Sequence, residues 1–335
     1  MLHGLEYSSF SSDNIFKLIW RIFHNRKHVC YIRYFEVIKL HTVIVLTMIK
    51  ASLYYRLHIM ASRRRGFTDA QFAKWIKAGR GSGEYASYQP WLKVSDFPSL
   101  GRVHRVFGHK SQRTHHLLSD LELSVFLLLE WHREAMQIRE QFPLEREVTR
   151  RLASEAMIDH PALAGTEQYL SSDFLVDSSN EHEPRFALQV KYKDALDDAR
   201  TVEKLELERR YWQEKGVPWY LVTEADIPAT VSKNISWLYP SQRNEQDDSE
   251  LTMQQIELYA HHFSKKPNQT VHAICKELDA AYDLPLGESL YEVRTLLAKR
   301  YFTFDLFVPV SKLKAKDLQI GDIPFIREAY LVSNQ

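Results

Sequence analysis

The sequence predicts an α/β protein in which helices flank a mixed sheet and a mainly helical module follows. From residue 101 to residue 240 the segments read as hairpin, helix, strand, helix, hairpin, helix, strand and helix. This alternation is typical of a mixed sheet covered by helices. Beyond a polar stretch, three amphipathic segments at 251–264, 270–282 and 287–299 precede the apolar run 301–310. They predict three helices and a strand, the composition of a winged-helix type of module.

Particular residues predict where the elements begin and end. Ser119 opens a buried helix with the sequence DLELSVFLLLEW, and Gly216 ends the strong helix DARTVEKLELERRYWQEK. The stretch AMQIREQFPL alternates as a strand does and is expected to end before Pro143. Nearer the start, Thr68 is the expected N-cap of a short helix. One face of that helix would hold three apolar residues: Phe72, Trp75 and Ile76.

Charge and composition divide the chain into parts. Residues 1–59 carry eight Lys/Arg against three Asp/Glu, whereas the rest carries 36 against 40. The first segment has no organised amphipathic period, and its uncharged run Leu40–Ile49 is far shorter than the roughly 20 residues of a membrane helix. We therefore expect a non-native or poorly ordered extension there, in preference to a membrane-surface or partner-binding arm. The remaining parts are a main domain over 60–240, a polar linker over 241–250 and a winged-helix-like domain over 251–335.

Composition also limits the classes of function. With two cysteines, Cys30 and Cys275, neither a disulfide framework nor a cysteine metal cluster is expected, and a reducing cytoplasm is the expected compartment. The main body is slightly acidic, so contacts with DNA would use local patches or partner proteins. Six basic residues are candidates for such contacts: Arg63, Arg64, Arg65, Arg80, Arg102 and Lys110. Four histidines of the first hairpin are interpreted as surface or DNA-backbone contacts: His104, His109, His115 and His116.

The segment Ser171–Lys193 carries the candidate chemistry. It is predicted to form a half-buried hairpin whose polar face brings together Asp173, Gln189 and Lys191. Carboxylate and amide oxygens can hold Mg²⁺, and a lysine can stabilise developing charge or position the attacking water. Glu122, from the preceding helix, would complete the set. An Asp followed on the partner strand by acid or amide, any residue and Lys is the skeleton of restriction-endonuclease-like nucleases.

Each of these residues also has a purely structural explanation. Glu122 completes a Ser-x-x-Glu capping box, and Asp173 could be an acid at a strand edge. Gln189 and Lys191 could form the solvated face of a hairpin. Gln189 also stands where a second acid is usual, and its neutral oxygen is a weaker ligand that the backbone carbonyl of Val190 would support. The pattern is short and recurs by chance, so on the pattern alone both explanations stay open.

Longer blocks of the sequence resemble one family. These blocks are THHLLSDLELSVFLLLEW, QIREQFPL, SSDFLVD, FALQVK, TVEKLELERRYWQEKGVPW and NISWLY. They are similar to the TnsA family, the endonuclease subunits of heteromeric transposases that move cut-and-paste transposons. The resemblance begins at Met60 and becomes weaker in the C-terminal module. It implies a restriction-endonuclease-like N-terminal domain followed by a winged-helix-like C-terminal domain.

The resemblance also implies an activity and its site residues. It implies Mg²⁺-dependent cleavage of the 5′ strands at transposon ends, with Mn²⁺ as a substitute metal, in the bacterial cytoplasm at the nucleoid. Catalysis would fall to Glu122, Asp173, Gln189 and Lys191, with metal ligands from the first three and from Val190. The implied partners are DNA, a TnsB-type transposase that cuts the 3′ ends, and a TnsC-type ATPase contacted through the C-terminal domain. The alternatives are a stand-alone restriction or repair nuclease and a non-catalytic bridging subunit.

Overall fold

The structure, a computed structural model, describes residues 67–96, 102–242 and 249–321. The predicted extension over 1–59 lies outside these residues, as does most of the predicted linker over 241–250. Three of the candidate DNA-binding residues also lie outside them: Arg63, Arg64 and Arg65. Within the described ranges, no helix is both long enough and apolar enough to cross a membrane.

Helices and strands alternate along the first two described ranges, and helices dominate the third. The helices are α1 (Asp69–Lys77), α2 (Asp120–Trp131), α3 (Arg146–Glu155), α4 (Ala199–Glu214), α5 (Ala229–Leu238), α6 (Ser249–Lys265), α7 (Val271–Ala281) and α8 (Glu288–Ala298). The strands are β1 (His104–Gly108), β2 (Arg113–Leu117), β3 (Ala135–Pro143), β4 (Ala162–Leu163), β5 (Thr166–Glu167), β6 (Ser171–Ser178), β7 (Arg185–Val190), β8 (Trp219–Val222), β9 (Phe302–Thr303) and β10 (Gln319–Ile320).

A four-stranded mixed sheet forms the centre of the fold. Its strand order is β3-β6-β7-β8, and the β3–β6 and β6–β7 pairs are antiparallel. In the predicted hairpin, Phe174 lies opposite Leu188 and Val176 lies opposite Phe186. The chain then passes through α4 and returns as β8, which is parallel to β7. A parallel pair needs a long crossover connection, and α4 supplies it here. The predicted mixed sheet flanked by helices is thus confirmed.

Helices cover both faces of this sheet. α2 and α5 pack on the face that carries Phe174 and Leu188. α3 and α4 pack on the opposite face, which carries Leu175 and Ala187. The prediction of a half-buried hairpin is therefore wrong, because both of its faces are buried. Alternation along a strand shows which side chains share a face, but it does not show which other elements will lie against that face.

The predicted helix caps are present, while two neighbouring details differ. The hydroxyl of Ser119 accepts the N–H of Glu122 at the start of α2 (3.1 Å), and Thr68 caps α1 in the same way. Ile76 is 56% exposed, contrary to prediction, since the packed face of α1 holds only Phe72 and Trp75. β3 extends to Pro143 itself. That position tolerates proline because β3 is an edge strand of the sheet and ends there.

The C-terminal module consists of α6, α7, α8 and the small antiparallel pair of β9 and β10. The predicted strand over 301–310 is reduced to Phe302–Thr303. The chain turns at Asp305, whose side chain accepts the N–H of Phe307 (3.0 Å), and an Asp that bonds to a backbone N–H two residues on favours a turn. The winged-helix assignment stays a prediction.

Helix α5 connects the two parts of the described chain. The amide Nδ2 of Asn234 donates to the carbonyl oxygens of Leu306 (2.9 Å) and Val308 (2.8 Å). Arg294 Nε on α8 donates to the carbonyl of Trp237 (2.7 Å). Apolar residues of the C-terminal helices join the same buried cluster as α2 and α5. The C-terminal module therefore packs directly against the sheet domain through α5.

Candidate active site

The predicted residues of the β6–β7 hairpin meet at one edge of the sheet. Asp173 lies near the start of β6, and Gln189 lies near the end of β7, directly before Val190 and Lys191. The backbone N–H of Val190 donates to Asp173 Oδ2 (2.8 Å), and the N–H of Asp173 donates to Gln189 Oε1 (3.0 Å). Lys191 Nζ is 3.6 Å from Asp173 Oδ2 and 3.0 Å from the carbonyl of Val190. The hairpin thus gathers these groups around one carboxylate.

Helix α2 brings Glu122 to the same place. The carboxylate of Glu122 accepts the backbone N–H of Leu118 (2.9 Å) and the hydroxyl of Ser119 (2.9 Å). Glu122 therefore does serve the start of α2, but not through the predicted capping box, because its carboxylate accepts the N–H of Leu118 and not that of Ser119. The same carboxylate is also linked to Asp173, because Gln141 Nε2 donates to Glu122 Oε2 (3.3 Å) and to Asp173 Oδ1 (3.3 Å). The cap and the site are two roles of one side chain, since capping fixes the carboxylate beside Asp173.

Gln141 is a site residue that the sequence reasoning missed. It lies on β3, and its φ of +49° is in the left-handed region, which costs a residue with a side chain about 1–3 kcal/mol and is found most often at functional sites. A signal for it exists in the sequence. If residues 138, 140 and 142 share one face of β3, residue 141 faces the other way, toward the polar side of the hairpin.

Glu208 on α4 is a second residue that the sequence reasoning missed. It is buried, and its Oε1 accepts from the hydroxyl of Ser172 (2.6 Å) and from Trp219 Nε1 (2.9 Å). Burial, followed by the charge of nearby Asp173, raises the pKa of Glu208 to about 8 against the opposing effect of these hydrogen bonds. Helical spacing could have indicated Glu208 from the sequence. Residues 205, 208 and 212 share one face of α4, and on that face the charged Glu208 lies between two apolar residues.

Acidic groups outnumber basic groups at this edge of the sheet. Burial and then the charge of Asp173 raise the pKa of Glu122 to about 8, even though it is hydrogen-bonded to Leu118 and Ser119. Burial acts to lower the pKa of Lys191, but the carboxylates of Asp173, Glu208 and Glu122 outweigh it and raise that pKa. Three buried acids thus surround one ammonium group. Such a site gains from a bound cation.

The predicted metal ligands are compatible with a hard divalent cation. Among the residues that the structure describes, no group of three or more His, Cys, Asp or Glu side chains is arranged to hold a metal ion. The predicted set does not need such a group, because only Glu122 and Asp173 supply carboxylates. The amide oxygen of Gln189 and the carbonyl of Val190 supply the other oxygens. All four donors are hard oxygens, the type that Mg²⁺ and Mn²⁺ prefer.

The described candidates for DNA contact differ in exposure. Arg80 makes two bonds to Asp96 (2.6 and 3.1 Å), and its side chain is only 14% exposed. Lys110 donates to the carbonyls of His132 and Ala135, just past the end of α2, and burial lowers its pKa to about 8. Arg80 and Lys110 therefore stabilise the fold. Arg102, with a side chain 83% exposed, presents its charge to solvent.

One histidine of the first hairpin is not a surface residue. His115 is fully buried, and its Nδ1 lies 2.8 Å from the carboxylate of Glu140 on β3. Arg113 Nη1 donates to the same carboxylate (2.8 Å). The prediction of a surface or DNA-backbone role for His115 is therefore wrong. The hairpin packs one face against α2 and β3, which the local pattern of polar residues could not reveal.

Comparison with known proteins matches both parts of the chain to one family. Residues 132–224 match a family described as TnsA-like endonuclease N terminal, and residues 226–306 match one described as TnsA endonuclease C terminal. The chain is also 45% identical over 275 residues to the Transposon Tn7 transposition protein TnsA of Escherichia coli, a match that covers 82% of this chain and 100% of that relative. With both family matches and a similarity that spans the whole length of this relative, the chain belongs to the TnsA endonuclease family.

Proposed function

We propose that this chain is a Mg²⁺-dependent DNA endonuclease that cuts the 5′ strands at transposon ends during cut-and-paste transposition. The observation that carries the proposal is the meeting of Glu122, Asp173 and Lys191 around one sheet edge, although the first two are 51 positions apart in the sequence. The relative from Escherichia coli is named a transposition protein, which supports this setting for the cleavage.

The acidic residues and the amide would hold the metal. Glu122 and Asp173 would be its carboxylate ligands, with Gln189 Oε1 and the Val190 carbonyl as neutral oxygen ligands. Mg²⁺, when bound, polarises the scissile phosphate and makes a bound water a better nucleophile, and Mn²⁺ has the same ligand preference. Gln141, which donates to both carboxylates, holds them together against their mutual repulsion.

Lys191 acts as a cation. Its pKa is raised by the surrounding carboxylates, after the opposing effect of burial, so the ammonium group stays protonated at neutral pH. A protonated lysine cannot accept a proton from water. Its role is therefore to orient the attacking water or to stabilise charge on the phosphate. The position of Nζ beside Asp173 and the Val190 carbonyl supports this role.

The proposed assembly has three further components. DNA at the transposon ends is the substrate, a TnsB-type transposase cuts the 3′ strands, and a TnsC-type ATPase binds the C-terminal domain. The catalytic domain would span 60–240, with a linker at 241–250 and a winged-helix-like domain over 251–335. The presence of the C-terminal family match at 226–306 supports a module of this kind after the catalytic domain.

The test maps strand breaks on a plasmid that carries both transposon ends, with Mg²⁺, the transposase and the ATPase present. Asp173→Ala should lose the 5′ cuts and retain the 3′ cuts. The matched control is Asp177→Ala, which alters an acid on the same face of β6 that pairs instead with Arg139 (2.6 Å) and Arg185 (2.5 Å). This control should keep the 5′ cuts.

Three outcomes would contradict the proposal. If Asp173→Ala cut the 5′ strands as wild type does, catalysis would lie elsewhere. Cleavage of plain DNA by the chain alone would favour a stand-alone restriction or repair nuclease. If Asp173→Ala supported complete transposition without making 5′ cuts, the chain would be a bridging subunit without a catalytic role.

A further inference from the structure

The β1–β2 hairpin forms a separate two-stranded ribbon beside the central sheet. Arg105 lies opposite His116, and Phe107 lies opposite Thr114. One face of the ribbon is packed, as the burial of Arg113, His115 and Leu117 shows. The other face carries Arg105, Phe107 and Thr114, and it is exposed. A ribbon that packs one face and leaves the other open to solvent has a surface available for a partner.

The open face carries exposed positive charge. Arg105 is exposed, and its side chain makes no hydrogen bond or ion pair with another residue of the described ranges. Arg102 at the edge of the ribbon makes only a long ion pair with Asp120 (3.7 Å), with its side chain 83% exposed. Asp120 is itself paired with His104 (2.7 Å). The pKa of His116 is lowered, first by burial and then by Lys93, Arg105 and Arg113, against the opposing charge of Glu140. Three cations, Lys93, Arg105 and Arg113, thus act on His116 together with one anion, Glu140.

An exposed aromatic ring accompanies these cations. The side chain of Phe107 is on the open face, and the residue is 46% exposed. Basic and aromatic side chains together on a narrow two-stranded ribbon suit DNA, because the basic groups bind phosphates and the ring contacts apolar parts of sugars or bases. The polar Thr114 beside Phe107 can also bond to a phosphate oxygen.

The ribbon leads directly into the candidate active site. The residue after β2 is Leu118, whose N–H donates to Glu122 Oε2 (2.9 Å). His116 lies two residues earlier, about 7 Å back along an extended chain, and Arg105 lies about 5 Å farther, across the ribbon. With the 2.9 Å between Leu118 N and Glu122 Oε2 included, the open face begins within roughly 15 Å of the Glu122 carboxylate, a distance of about four base pairs of duplex at about 3.4 Å each.

We propose that the open face of the β1–β2 ribbon, formed by Arg105, Phe107 and Thr114, binds the DNA backbone within about four base pairs of the cut. The inference rests on the proposed function. It assigns DNA contact to residues of the ribbon surface, while the partly buried candidates Arg80 and Lys110 bond to groups of the fold. Arg102 at the edge of the ribbon extends the same surface.

The first test is the salt dependence of binding to a short duplex that carries one transposon end and its flank. All variants are made in the Asp173→Ala background, so that cleavage does not disturb the measurement. Losing one phosphate contact lowers the slope of log K against log salt by about 0.9. Arg105→Ala should therefore reduce the slope by about that amount and weaken binding roughly three- to ten-fold, whereas Arg105→Lys should restore most of the binding.

The matched control for this test is Arg133→Ala. Arg133 is exposed just past the far end of α2, away from Glu122, and its loss should leave the slope unchanged. An unchanged slope for Arg105→Ala, or equal effects of the two variants, would overturn the inference. Either result is separable from failure of the proposed function, which would appear as normal 5′ cleavage by Asp173→Ala and would not alter the binding slope.

The second test replaces Phe107 with the photo-crosslinker p-benzoylphenylalanine, which preserves an aromatic ring, in the complete transposition mixture. We expect an adduct with DNA a few base pairs from the 5′ cut. The control position is Met157, 95% exposed just past the end of α3 on the opposite face of the sheet. An adduct with a partner protein in place of DNA, or no more DNA adduct than at Met157, would refute DNA binding by the ribbon.

Discussion

The buried carboxylate of Glu140 joins the β1–β2 ribbon to the central sheet. It accepts hydrogen bonds from Arg113 Nη1 (2.8 Å) and from the backbone N–H of His116 (3.1 Å), and His115 Nδ1 lies 2.8 Å away. Burial acts to raise the pKa of Glu140, but His115 and Arg113 outweigh burial and hold this pKa well below its usual range. Glu140 is therefore ionised and paired inside the protein.

Glu140→Gln removes this charge while nearly keeping the shape of the side chain. Arg113 would then remain buried without its carboxylate partner, and breaking a buried pair from one side costs about 3–5 kcal/mol. We expect the free energy of unfolding at neutral pH to fall by about 3 kcal/mol, measured by urea denaturation. Glu147→Gln is the control, since Glu147 is 78% exposed and pairs with Arg150 on the surface. Its effect should stay below about 1 kcal/mol.

The loss in Glu140→Gln should depend on pH in one direction. The pKa of Glu140 in the folded state lies below the unfolded value of about 4.3. Its contribution to stability is therefore present above that value and disappears as pH falls through the folded pKa. The difference in stability between wild type and Glu140→Gln should begin to shrink as pH falls below about 4 and should vanish only below the folded pKa. A difference at neutral pH under about 1 kcal/mol, or one that does not change with pH, would refute the reasoning.

Two further predictions concern the residues that the sequence reasoning missed. Gln141→Gly removes the donor shared by Glu122 and Asp173 and suits the left-handed backbone at φ +49°. Because hydrogen bonds to charged groups contribute about 1.5–3 kcal/mol, 5′ cleavage should slow roughly ten- to hundred-fold. Glu208→Gln should stabilise the protein relative to wild type increasingly as pH rises from about 4.3 toward 8, as measured by thermal unfolding across pH. The pKa of Glu208 is about 8 in the folded protein, so the side chain loses its proton more readily in the unfolded chain than in the folded one. The wild type therefore loses stability as pH rises over this range, whereas a glutamine, which does not titrate, causes no such loss.

Controls for these two predictions are available in the same chain. Gln112→Gly changes another glutamine with a left-handed backbone, φ +52°, in the turn of the ribbon, and it should leave the cleavage rate nearly unchanged. Equal rates for Gln141→Gly and wild type would show that the shared donor has no role in the reaction. For Glu208→Gln, a stability difference that is the same at every pH would show that Glu208 does not titrate in the folded protein over this range.

Local signals in the sequence determined the secondary structure and part of the site. The start of α2 at Ser119 and the hairpin of β6 and β7 were predicted correctly because caps, turns and alternation act between residues close in the chain. The same alternation placed Asp173 and Gln189 on one face of the hairpin, where the N–H of one bonds to the side chain of the other. The pattern also proposed Glu122 and Lys191, and the resemblance to a known family implied a catalytic role for the same four residues.

Only the tertiary structure decided which of these groups are buried and which distant residues meet. Gln141 between Glu122 and Asp173, and Glu208 behind Ser172, come from separate elements whose packing no local pattern specifies. The same holds for Arg80 and Lys110, which look like surface cations in the sequence and are held inside the fold. Periodicity shows the face of an element on which a side chain lies. What covers that face depends on contacts between residues far apart in the chain, and those contacts set the burial, charge and hydrogen bonding from which the proposed chemistry follows.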